Sequence, residues 1–132
     1  MDLIVGKEAF QRAVEKERYR SDRSNQKYSL LIMSLAIESE EDNRIVQAIT
    51  TIRERIRAID EIGWYDENQL GILLPFTSMG GADQLAEEIC GIVTAYLKPA
   101  ECLACELFSY DPEAVPKSEM PVWQKNLRPA DR

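Results

Sequence analysis

The 132-residue chain is predicted to be an α+β domain, a ferredoxin-like βαββαβ sheet with an extra N-terminal helix. Three observations predict it. Two runs, YSLLIMSLAI from Tyr28 and LGILL from Leu70, are the most apolar strand-like segments of the chain. Two stretches with apolar residues three and four apart stand where crossover helices belong. The ferredoxin-like order puts its first and third strands at the centre of the sheet, and those are the two most apolar segments.

Each element has its own reason. In residues 10–23, Phe10, Ala13, Val14 and Glu17 recur with helical spacing, and Ser24-Asn25-Gln26 breaks the pattern as a polar turn. Residues 28–37 form a nearly continuous apolar run, predicting a strand buried on both faces. The two crossover helices of a bare ferredoxin-like unit cover one face only, so the leading helix around Phe10 and Val14 is expected to cover the other. Glu40-Glu41-Asp42-Asn43 suits a helix N-terminus, where the dipole favours negative charge. Ile45, Val46, Ile49, Ile52, Ile56 and Ile59 then predict one core stripe, with Arg53 and Arg57 together on a neighbouring face.

Residues 61–65 and 70–74 read as short strands joined by a hairpin turn at Asp66-Glu67-Asn68-Gln69, and Pro75 stops the second. A second crossover helix follows Thr77-Ser78-Met79-Gly80-Gly81, with Ala82, Leu85, Ala86, Ile89, Val93, Tyr96 and Leu97 on its stripe. Lys98-Pro99 ends it, and residues 103–110 form a last strand. The chain divides into a domain at residues 1–113 and a tail at 114–132. That tail reads as an extended linker, because four of the six prolines follow Asp111.

Composition narrows the function. Net charge is −7, which opposes duplex DNA or an anionic membrane as a general partner. No segment has the roughly 20 apolar residues of a membrane span, and the N-terminus lacks a signal-peptide pattern. Three cysteines in no framework spacing fit a reducing, cytoplasmic setting. Cys102-Leu103-Ala104-Cys105 lacks the further ligands of a zinc site in a chain without histidine. Residues three apart on a strand also face opposite ways, so these thiols read as core or half-buried. No cofactor is implied. Gly80-Gly81 reads as a helix start, Trp64-Tyr65 as strand residues, and the arginines at 18, 20 and 23 as a solvated face.

The segment Arg57-Ala58-Ile59-Asp60, five residues, then Asp66-Glu67-Asn68-Gln69-Leu70 and Gly71-Ile72-Leu73-Leu74-Pro75 resembles the heart of a GGDEF domain. That family makes the bacterial second messenger cyclic di-GMP on a nucleotide-cyclase-like palm. The likeness extends to F-x-x-A-V-x-x-E-x-x-R from Phe10 to Arg20, to YSLLIMSLAI, and to the Gly-Ala start of the second crossover helix. In the family an R-x-x-D inhibitory site lies five residues ahead of the G-G-D-E-F signature.

Here the spacing survives and the signature does not. Asp66 and Glu67 stand at the two glycines, Asn68 and Gln69 at the acidic pair, and Leu70 at the phenylalanine. Ser34 and Ala36 stand at the aspartates of the first strand's D-x-D, the first of which normally holds magnesium. Joining two nucleoside triphosphates needs carboxylate oxygens around a hard cation, and these residues supply none. The F-K-x-x-N-D segment and the late A-D-x-A-L-Y-x-A-K-x-x-G-R-N helix are absent as well. The resemblance therefore implies a degenerate, non-catalytic signalling module.

The same resemblance implies that Arg57 and Asp60 bind cyclic di-GMP, with Arg53 adding positive charge. A guanidinium fork matches phosphate or guanine O6/N7, and a carboxylate matches two adjacent guanine N–H donors. Arg and Asp three apart at a helix end also form a plain surface ion pair. The alternative function is a structural interaction or dimerisation domain, with a protein partner or a second copy covering apolar surface. Similar degenerate modules precede bacterial sugar transferases of surface-polysaccharide systems, and Pro121-Val122-Trp123-Gln124-Lys125 resembles that junction.

Overall fold

A strand as apolar as β1 (Tyr28–Leu35) needs cover on both faces, and the architecture meets that need. The computed structural model describes residues 4–113 and 122–127. Helix α1 (Lys7–Ser24) precedes β1, and α2 (Asn43–Arg55) follows it. The hairpin β2 (Glu61–Asp66) and β3 (Gln69–Pro75) comes next, then α3 (Met79–Tyr96) and, after a short 3-10 turn, β4 (Cys102–Tyr110). A fifth strand, β5 (Val122–Leu127), completes an antiparallel sheet ordered β2-β3-β1-β4-β5. The first four strands have the predicted ferredoxin-like order, with β1 and β3 in the middle.

Alternation along β1 divides two cores. Leu31, Met33 and Leu35 pack with Ile45, Ile49 and Ile52 of α2 and with Ala86, Ile89 and Val93 of α3. Tyr28, Leu30 and Ile32 pack on the opposite face with Phe10, Leu73 and Tyr110. The leading helix is thus the second cover, as expected. Phe10 is fully buried and seated over two glycines, Gly63 and Gly71, which face each other across β2 and β3. A Cβ on Gly71 would lie 2.5 Å from the Phe10 ring, and one on Gly63 would lie 2.6 Å away. Those missing side chains form the slot.

Polar groups finish the α1 face. Glu17 is buried and accepts hydrogen bonds from Arg20 at 2.6 and 3.0 Å. The Tyr110 hydroxyl donates to Asp22 at 2.6 Å, and the Arg18 guanidinium lies over the same ring. Asn25 caps α1 in the left-handed region at φ 61°, donating its N–H to the Ser21 carbonyl. Backbone groups of Val5 reach the outer edge of β2, with Val5 N–H to Ile62 O at 3.4 Å and Trp64 N–H to Val5 O at 3.2 Å.

The structure departs from expectation in four places. Helix α2 ends at Arg55, not beyond Ile59, because the Asp60 carboxylate accepts the Arg57 N–H at 2.8 Å and turns the chain. Ile59 is consequently 50% exposed instead of on the core stripe. Strand β1 stops at Leu35, where the Ala36 N–H turns to the Glu101 carbonyl. Cys102 and Cys105 share one core rather than facing apart: Ser34 pairs with Ala104 but Leu35 with Cys102, so Leu103 bulges out. Finally, Val122–Leu127, inside the segment read as linker, pairs with β4 from Cys105↔Leu127 to Ser109↔Val122. The rest of that tail, residues 114–121 and 128–132, lies outside the described residues.

Candidate functional site

Two places on this scaffold bring together the residues singled out in the sequence. The first is the β2–β3 turn. Glu67 and Asn68 form its two-residue tip, and Asn68 adopts φ 55°, which an asparagine tolerates better than most side chains. Asn68 then docks the turn on the loop after β1. Its N–H donates to Glu40 at 3.0 Å, its side-chain amide donates to the Ile37 carbonyl at 3.0 Å, and its carbonyl accepts from Leu35 N at 2.9 Å. Leu70 is buried behind it.

Next to that turn, the Gln69 amide donates to the Ser34 hydroxyl at 3.2 Å. Sequence placed these two residues at positions where the GGDEF pattern has metal-binding acids, and the structure brings them together. The cation does not fit here. Neither oxygen is anionic, the pair satisfies itself with a hydrogen bond, and Ala36 offers no ligand, whereas a hard divalent cation requires carboxylate or comparable oxygen donors.

A hollow of about 760 Å³ opens beside the turn, lined by Glu38, Glu40, Glu41 and Glu67 together with Val46, Ile49 and Trp64. Among the described residues that line it, none is Lys or Arg. Its field repels polyphosphate. Asp66, at the end of β2, lies away from this lining. The Glu67 N–H and then Lys7, 3.1 Å away, hold its carboxyl below the usual range.

The second place is the loop from α2 to β2. Arg57 donates Nε to Asp60 Oδ2 at 3.1 Å and Nη2 to Oδ1 at 2.7 Å. The same Nη2 reaches the Pro75 carbonyl at 2.9 Å and the Thr77 hydroxyl at 2.8 Å. Asp60 has no exposed side-chain surface, while the Arg57 side chain is 49% exposed. One guanidinium therefore ties the α2–β2 loop to the β3–α3 loop and still presents a face to solvent.

That face borders a hollow of about 300 Å³ whose lining includes Arg55, Thr77, Gln84, Leu85 and Glu88. Arg55 and Glu88 bind each other side by side, at 2.7 and 3.0 Å. Their hydrogen bonds raise the arginine's pKa and lower that of the carboxyl.

Arg53 does not join this group. It lines a separate hollow with Ala58, Asp60 and Ile62, because α2 ends before Arg57 and the two arginines share no helical face. Arg55, not the expected Arg53, stands beside Arg57. Arg55 and Thr77 were missed, since their partners lie 33 and 20 residues away and depend on how α3 docks. The positive φ of Asn68 was the more readable omission, because asparagine at a hairpin tip favours that conformation.

No protein-family model matches this sequence, and no curated protein matches it either. Solved structures do. The GGDEF domain of DgcB from Caulobacter crescentus, in complex with c-di-GMP, superposes with a TM-score of 0.69 at 11% identity, over 89% of this chain and 81% of that one. A DGC protein from Thermotoga maritima gives 0.63 at 15% identity, over 81% and 79%. The diguanylate cyclase SiaD from Pseudomonas aeruginosa, in complex with its activator SiaC, gives 0.63 at 18% identity, over 80% of this chain and 46% of that one. On these superpositions, the fold of this chain is that of a GGDEF domain.

Proposed function

We propose that this chain is a non-catalytic regulatory module built on the GGDEF fold. The observation that carries the reading is the neutral Ser34–Gln69 hydrogen bond at the place where the fold would otherwise hold a cation between carboxylates. The carboxylate-lined hollow beside it adds repulsion toward a triphosphate. Incubation of the purified chain with GTP and magnesium or manganese is expected to yield no cyclic dinucleotide by chromatography. Turnover overturns the proposal.

The ligand we assign to the module is cyclic di-GMP, received at Arg57. The half-exposed guanidinium is held in place for a phosphate or guanine acceptor, and the DgcB domain was solved with that ligand. Asp60 orients Arg57 in the free state, because its carboxylate accepts one backbone and two side-chain hydrogen bonds from Arg57. It faces guanine N–H donors only when Arg57 swings toward the ligand. Arg53 contributes long-range positive charge from the neighbouring hollow. Calorimetric titration is expected to give micromolar binding that weakens at least tenfold, about 1.4 kcal/mol, in Arg57→Ala. Equal heats in both proteins would remove Arg57 from the site.

A second reading is a protein-docking module, and the closed Arg57–Asp60 pair favours it, since Asp60 is withheld from guanine until that pair opens. Ile59 and Phe76, 50% and 48% exposed, offer apolar contact, and SiaD was solved with a protein activator. Concentration-dependent self-association with no melting shift from cyclic di-GMP is the outcome that selects this reading.

A further inference from the structure

Cys90 of α3 and Cys105 of β4 meet in the core with their sulfurs 2.8 Å apart, 15 residues apart in sequence. Both are buried, at 2% and 0% exposure. A disulfide bond measures about 2.05 Å, so a shift of less than about 1 Å separates these thiols from a covalent link. The elements that carry them already pack on each other in the larger core. We propose that Cys90 and Cys105 are an oxidation site that closes to an intramolecular disulfide, stapling α3 to β4, when a small hydroperoxide reaches the core.

The surroundings decide which thiols react. The bulge at Leu103 turns Cys102 onto the same core face, beside Cys90. Burial pushes the Cys102 thiol up to about 11, and Cys90 and Cys105 are buried at least as deeply, so thiol acidity favours none of the three and the 2.8 Å approach of Cys90 to Cys105 selects the pair. Burial also excludes bulky oxidants and protein thiol–disulfide partners, whereas a small uncharged peroxide enters during local opening.

The chemistry balances in two steps. One cysteine sulfur attacks a peroxide oxygen, the O–O bond breaks, and a sulfenic acid and water result. The second thiol then attacks that sulfur; the S–S bond forms, the S–O bond breaks, and a second water leaves. Two thiols have been oxidised by two electrons, and one hydrogen peroxide reduced to two waters.

The staple closes a short loop, which restricts the unfolded chain. It also fixes α3 two residues beyond Glu88, on the helix that lines the Arg57 hollow through Gln84, Leu85 and Glu88. The inference stands apart from the ligand assignment, because its readout is covalent.

The test exposes the folded 132-residue chain to hydrogen peroxide, alkylates remaining thiols after denaturation, and maps the peptides without reductant. The expected result is an intact mass lower by two hydrogens before alkylation, a Cys90–Cys105 link, and one alkylated thiol at Cys102. Dithiothreitol reverses the change, and the oxidised protein melts several degrees higher. Cys102→Ser is expected to form the same link, and Cys90→Ala to form none. Three alkylated thiols after exposure, a link through Cys102, a disulfide between two chains, or sulfinic acid without a link would overturn the proposal. The Cys102→Ser arm holds even where replacing Cys90 or Cys105 prevents folding.

Discussion

The carboxylate of Asp60 receives one backbone and two side-chain hydrogen bonds from Arg57 with no surface of its own exposed. It belongs to the loop before it belongs to any ligand. Asp60→Asn is expected to lower stability by about 1–3 kcal/mol in urea unfolding, because one of the two buried acceptor oxygens becomes an NH2 group facing Arg57 donors and the negative charge is lost. A loss within about 0.5 kcal/mol would reduce the pair to an ordinary surface contact. At the hairpin, Ser34→Asp with Gln69→Glu restores two acids at hydrogen-bond range. That double variant is expected to bind manganese where the wild type does not, measured by calorimetry, and to be less stable without it.

A third group gives a pH signature. Arg44 is gripped by Asp42 and Glu101, and its hydrogen bonds hold both carboxyls below their usual range. Folded values below unfolded ones mean that this stability is fully present above the unfolded carboxyl range and is lost as pH falls through the lower folded values. Arg44→Gln is expected to flatten the acid limb of a melting-temperature profile. An unchanged limb would show that solvent screens the cluster completely.

At the scale of elements, the Phe10 slot gives the sharpest prediction. Gly71→Ala places a Cβ 2.5 Å from the ring and is expected to cost about 1–3 kcal/mol by overpacking. Gly80→Ala, with open space around it, is expected to be neutral or slightly stabilising by helix propensity. Equal effects would mean that α1 yields freely. The apolar runs of β1 and β3 were legible because their burial is written into consecutive residues, and so was the need for α1. The Gly63–Gly71 slot was not, since it depends on two strands pairing in register. Ile59 followed the helical period of α2, but a local side chain, Asp60, captured the backbone first. Leu103 shows the same limit. Alternation placed Cys102 and Cys105 on opposite faces, and one bulged residue brought them to the same one. The Ser34–Gln69 contact was legible only through the family's pattern. The Arg55–Glu88 pair had no local mark at all.

Viewed as a whole, the molecule is a sheet between two unequal covers. Helices α2 and α3 share the large core, while among the described residues α1 is the helix that shields Tyr28, Leu30, Ile32, Leu73 and Tyr110. Phe10→Ala is expected to cost about 3–5 kcal/mol, a large share of the roughly 5–15 kcal/mol that holds a domain folded. Binding of a hydrophobic dye below the main transition is the check, and a fully native, dye-silent variant would mean that α1 is held by something else. The Val5 backbone brings a different economy to the assembly. Its two long hydrogen bonds sit on the rim of the sheet, while Ile4, Val5 and Gly6 wall the carboxylate hollow. A strand competing for that rim would strip away the wall, and a cationic guest pressing on the wall would keep the rim closed. Two such ligands would then act as antagonists, each weakening the other by the same factor.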